Sequence, residues 1–203
     1  MSDVDLIPPE NFLQELADTM VLAGCPPEEL LICGGTALAL LRFNARPSYD
    51  VDVLGLWDPN TGFIPRDAFS PAFTACVREV ASAHPELRDL DEKWVNLGPR
   101  RIALLGLPAG FEQRLTTRAY GPALTLHILG RLDLIALKLY AAADRFGRRQ
   151  EVHLTDLRHL KPTFEELDHG VEWIRGLPGF HELSVELRVA VERLGYDDLA
   201  QYI

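Results

Sequence analysis

The chain has 203 residues, with 20 basic and 30 acidic side chains and a formal net charge of −10. That balance argues against a broad, sequence-independent nucleic-acid footprint, which depends on Lys and Arg neutralising phosphates. Arg100, Arg101, Arg114, Arg118, Arg145, Arg148 and Arg149 still leave room for a local basic cleft, or read simply as solvated surface. No apolar run approaches the roughly 20 residues of a membrane span, and the acidic start MSDVDLIPPE lacks the blocks of a signal peptide. A cytoplasmic protein with no membrane partner is expected.

Apolar residues at helical spacing from Phe12 to Val21 predict an amphipathic helix over 10–23, stopped by Gly24 and Pro26-Pro27. Leu30 to Cys33 reads as a short buried strand, and Thr36 to Phe43 as a helix with almost no polar face, hence buried. Residues 48–54 read as a strand, and Trp57 to Pro65 as a loop rich in Pro, Gly, Asn and Asp. Phe69 to Val80 predicts a helix ending near Pro85, and Ile102–Leu105 and Ala123–Ile128 are strand candidates. The segment between those two strands carries no clear periodicity. From Arg131 the texture is helical: 131–145, a short helix over 155–160, another opened by the capping-box pair Thr163 and Glu166, and a last one over 182–194. The expected fold is therefore α+β, a mixed sheet flanked by helices over 1–130 followed by a helical subdomain over 131–203. Cys25, Cys33 and Cys76, odd in number and without C-x-x-C spacing, are expected to be reduced and buried.

Three features point to chemistry. Asp50 and Asp52, two apart in a strand, share a face. Paired carboxylates repel unless a cation lies between them or water bathes them. Hard cations such as Mg²⁺ suit the first case, and a solvent-facing strand the second. Gly34-Gly35 lies between a strand and a helix, where backbone N–H groups can approach an anion and Thr36 can add a hydroxyl. A plain tight turn is the other reading. Lys138 lies in a stripe of Leu134, Ile135, Ala141 and Ala142, so it either snorkels to the surface or is held for an anion.

The order of these features resembles the nucleotidyltransferase fold of the DNA polymerase β superfamily, above all the bacterial minimal nucleotidyltransferases related to abortive-infection toxins. The matching segments are Gly34-Gly35-Thr36-Ala37-Leu38, Arg46-Pro47-Ser48-Tyr49-Asp50-Val51-Asp52-Val53, and Asp133 to Arg145 with Lys138 at its centre. The resemblance spans about residues 30–160. It implies that Gly34, Gly35, Thr36 and Ser48 hold the triphosphate of an NTP, that Asp50 and Asp52 bind Mg²⁺ or Mn²⁺, that Lys138 contacts phosphate and that Asp156 orients the site. An NMP would pass to a hydroxyl of tRNA, a protein or a small molecule, often in a toxin–antitoxin setting with an antitoxin partner. Two departures stand out. The family's K-D-x-x-D-L segment reads Val152-His153-Leu154-Thr155-Asp156-Leu157, and the strand expected to bring a third carboxylate offers only His127. A degenerate scaffold that binds partners is therefore the rival expectation. A metal-dependent phosphohydrolase is set aside for want of an H-D or H-x-H-x-D cluster.

Overall fold

Every residue of strand β1 (Glu28–Cys33) except Glu29 is buried, and β1 is the middle strand of the sheet. The computed structural model describes residues 9–43, 48–144 and 148–203. Arg46, Pro47, Arg145 and the first eight residues lie outside the described residues, and so do the side chains of Arg148 and Arg149. The chain divides into two units, Met1–Leu104 with Glu112–Leu129, and Leu105–Phe111 with Gly130–Ile203.

The first unit holds helices α1 (Pro9–Leu22), α2 (Gly34–Leu40), α3 (Pro71–Ala83) and all but the last residue of α4 (Arg100–Leu105). Its remaining strands are β2 (Val51–Asp58), β3 (Gly62–Pro65), β4 (Val95–Asn96), β5 (Thr116–Tyr120) and β6 (Leu124–Ile128). The sheet runs β3-β2-β1-β6-β5, with β4 pairing β2 near the start of that strand. It is mixed: β1 is antiparallel to β2 and parallel to β6, while β5 is antiparallel to β6. One face, carrying Leu30, Ile32, Val51, Val53, Leu126 and Ile128, is fully buried. Helix α1 lies on this face. Arg118, which shares the face of Leu126 by register, is ion-paired to Glu10 of α1 and also donates to the Leu40 carbonyl at 2.5 Å. Phe12, Phe73 and Trp94 complete the core, and the Trp94 indole N–H is satisfied by the Val77 carbonyl at 2.8 Å.

Several elements differ from the sequence expectation. Ile102–Leu105 belongs to helix α4, because a four-residue apolar run has no periodicity of its own. Ala and Leu favour a helix, and Pro99 suits its entry. Trp57–Pro65 is a β2–β3 hairpin and not a loop. The Asp58 carboxylate accepts from the backbone N–H groups of Asn60 and Thr61, both at 2.8 Å, and these bonds hold its pKa below the usual value. Strands β4 and β5 were not foreseen, being too short or too polar to show alternation. Cys25, Cys33 and Cys76 are free and buried as expected, and burial raises the thiol pKa of Cys25 and Cys76.

The second unit is helical: α5 (Arg131–Asp144), α6 (Arg148–Leu160), α7 (Phe164–Arg175), α8 (Phe180–Arg193) and α9 (Asp197–Ala200). Helix α5 packs on α6, α7 and α8. At the α5–α7 crossing a Cβ on Gly170 would come within 3.3 Å of the Ala136 Cα, so the glycine permits the close approach. The capping box is present as expected: Glu166 N–H donates to Thr163 Oγ1 at 3.2 Å, and the Thr163 N–H to Glu166 Oε2 at 2.9 Å. Helix α6 begins seven residues earlier than the expected 155, because its first turns are polar and are held by side chains. Gln150 Nε2 donates to the Ala142 carbonyl, and Arg193 bonds Gln150 and Glu151. Segment Leu105–Phe111 joins this unit, where Trp173 donates its indole N–H to the Gly106 carbonyl at 3.2 Å. Among the described residues, no helix is long and apolar enough to cross a membrane.

Candidate functional site

In the first unit the glycine pair and the carboxylate pair fold into one cluster. Strand β1 passes into α2 with no intervening loop, since Cys33 is the extended N-cap and Gly34 the first helical residue. Gly34 takes φ +80°, a left-handed conformation that L side chains rarely adopt. Strand β2 runs antiparallel beside it, with Asp52 opposite Cys33. A Cβ built on Gly34 would overlap Asp52 Oδ2 and come within 2.8 Å of its Cγ. Glycine at 34 is thus required twice, by its backbone angle and by the carboxylate against its Cα.

Thr36, fully buried, ties the same turn to the approach of β2. Its hydroxyl donates to the Asp50 carbonyl at 2.6 Å, with the Ser48 carbonyl 3.5 Å away. Ser48 Oγ donates to Asp50 Oδ1 at 3.0 Å. The strand itself starts at Val51, so Asp50 lies just before it, where the expectation put both acids inside the strand. Val51 and Val53 point into the core, and Tyr49 sits against Phe12 with ring centroids 6.3 Å apart. Asp50 and Asp52 are each partly exposed.

An extra residue in β2 sets the faces. The pairing steps from Leu31↔Gly55 to Ile32↔Val53, leaving Leu54 as a bulge. The face opposite Leu30 and Ile32 consequently carries Asp52, Gly55 and Trp57 from β2, together with Leu31 and Cys33. His127 joins them by its pairing with Leu31 across β1. On the other side of Asp52, β4 places Asn96 in register with it. Asn96 accepts from the Gly98 N–H at 2.8 Å and donates to the Val51 carbonyl at 3.4 Å. So the strand directly beside Asp52 brings an amide and not a carboxylate. The only sequence signal for this strand is Val95-Asn96 ahead of Gly98-Pro99, too short to single out. The arginines considered for a basic cleft are partly spent elsewhere: Arg118 on Glu10 and Leu40, and Arg100 on the Asp67 carbonyl at 2.6 Å.

The remaining candidates, Lys138 and Asp156, lie in the second unit and are partners of each other. Lys138 Nζ donates to Asp156 Oδ2 at 2.6 Å, with side-chain exposures of 7% and 0%. Lys138 therefore does not snorkel. It is held inside by a counter-charge, as a buried ammonium must be. Asp133, nearer the start of α5, is also fully buried.

As a donor set, Asp50 and Asp52 offer hard carboxylate oxygens, and among the described residues no group of three or more His, Cys, Asp or Glu stands ready for a metal. Two carboxylates would suit a hard cation such as Mg²⁺ that draws its other ligands from elsewhere, and would not make a closed structural site. Comparison with family models, with curated proteins and with solved structures returns no match.

Proposed function

We propose that the chain is a Mg²⁺-dependent nucleotidyltransferase, moving an NMP from an NTP to a hydroxyl of an RNA, a protein or a small molecule. The observation that carries this reading is the packing of the Asp52 carboxylate on Gly34, with Ser48 and Thr36 bracing Asp50 beside it. A side chain at 34 would fill the space next to the acid. Glycine leaves that space to the Asp52 carboxylate itself, which lies against the turn where β1 becomes α2. Asp50 and Asp52 would hold the metal, which when bound offsets the charge of the triphosphate and of the leaving pyrophosphate. Ser48 fixes the rotamer of Asp50 through its hydroxyl, so the carboxylate needs little reorganisation. Thr36 holds the backbone at residue 50 in place. Lys138 and Asp156 serve in this reading as the buried ionic pair of the helical unit.

A second reading, a nucleotide-binding scaffold without transfer activity, is favoured by Asn96. It stands next to Asp52 where a third carboxylate would strengthen metal binding. The two separate in one experiment: purified protein with each α-labelled NTP, Mg²⁺ or Mn²⁺, and total RNA or cell lysate. Metal-dependent label transfer supports the transferase. Metal-dependent NTP binding by calorimetry without transfer supports the scaffold, and absence of both rejects the two together.

A further inference from the structure

We propose that Thr117 is an activated nucleophile, with His127 as its base and Glu29 as the residue that positions the base, and that it accepts an acyl group from activated esters. None of the three belongs to the glycine–carboxylate cluster. They come from neighbouring strands β5, β6 and β1. Thr117 is opposite His127, His127 is opposite Leu31, and Glu29 lies two residues before Leu31, so all three side chains share one sheet face. Thr117 Oγ1 lies 3.2 Å from His127 Nδ1, and His127 Nε2 lies 2.9 Å from Glu29 Oε2.

The direction of these bonds follows from the chemistry of the ends. An ionised carboxylate only accepts, so Nε2 carries the proton given to Glu29. Nδ1 of the neutral ring then presents its lone pair, and the Thr117 hydroxyl is the donor. Hydroxyl, imidazole and carboxylate stand in the order that activates a nucleophile. The His127 side chain is 9% exposed, whereas Thr117 is exposed at the sheet edge, so the base is sheltered while the hydroxyl is reachable. Trp57 lies over the imidazole, ring centroids 5.4 Å apart and planes at 34°.

In the reaction, Thr117 Oγ1 bonds to the acyl carbon as its proton passes to Nδ1. The bond from that carbon to the ester oxygen breaks, and the departing alcohol takes the proton from Nδ1. Water, deprotonated by the same nitrogen, then cleaves the acyl-threonine to the acid and restores the hydroxyl. The balance is ester plus water to acid plus alcohol.

The test uses the full chain with p-nitrophenyl acetate, followed by p-nitrophenolate release, intact mass and peptide mapping. One acetyl group on Thr117 is expected in samples acid-quenched during p-nitrophenolate release. Thr117→Ser should retain it, and Thr117→Val, isosteric on an exposed strand, should abolish it with an unchanged melt. His127→Gln should slow it on the order of 10²-fold. Glu29→Gln should slow it less, with Glu29→Asp restoring part of the rate, which a merely structural carboxylate would not do. Acetylation confined to lysines or the N-terminus, or a Thr117 rate unchanged by His127→Gln, overturns the proposal.

Discussion

The Asp52 carboxylate rests on the Cα of Gly34, the residue at which β1 turns into α2. Gly34→Ala should therefore meet both a positive-φ penalty and a steric overlap, together about 2–5 kcal/mol. Urea unfolding measures this directly. In the double variant with Asp52→Gly the overlap is gone, so the two changes should be non-additive and only the backbone part should remain. Additive effects would mean that the two residues do not touch.

Removing the charge of either acid should separate chemistry from folding. Asp50→Asn and Asp52→Asn keep the shape of the side chain, and each should lower NMP transfer by at least about 10²-fold while leaving the thermal melt intact. Ser48→Ala, which only releases the Asp50 rotamer, should have a smaller effect. A transfer rate indifferent to both Asn variants would reject the transferase reading.

Lys138 and Asp156 make the helical unit sensitive to single substitutions. Asp156→Ala leaves a buried ammonium without its partner and should destabilise by about 3–5 kcal/mol. Replacing both, as Lys138→Met with Asp156→Leu, should recover most of that loss. The check is chemical denaturation followed by far-UV circular dichroism, with the double variant compared to each single one.

The Arg131–Glu166 pair predicts a pH dependence. Arg131 donates to Glu166 through Nε at 2.7 Å and Nη2 at 3.0 Å, and these bonds, with the Thr163 N–H, hold the Glu166 pKa below its ordinary value. A carboxyl whose folded pKa is depressed contributes stability above its unfolded pKa and loses it as pH falls through the folded one. Glu166→Gln should thus lower stability near neutral pH, by about 1–2 kcal/mol with the cap weakened. The gap to the wild type should narrow once the pH drops below about 4. A gap that stays constant on acidification would contradict this. Urea titrations at a few pH values decide it.

Much of the chain was legible as text. The apolar spacing of α1, α3, α5 and α8 and the Thr163/Glu166 cap are local signals, and each element formed where they pointed. The α+β class was legible for the same reason, because a change from mixed to helical texture needs no long-range information. Ile102–Leu105 failed because four apolar residues fit a strand and a helix equally. The β2–β3 hairpin was hidden by turn residues that also suit a loop.

What the sequence determined by itself was which glycine, acid and hydroxyl residues were candidates: Gly34, Gly35, Thr36, Ser48, Asp50 and Asp52 were all in view. Only the tertiary structure decided what each of them touches. The bulge at Leu54 and the register of β1, β4 and β6 put Asn96 beside Asp52 and joined His127 to Glu29 and Thr117. Burial in the helical unit turned Lys138 toward Asp156. Side-chain identity is local, but strand register and the pairing of buried charges depend on residues distant in the chain, so no reading of spacing reaches them.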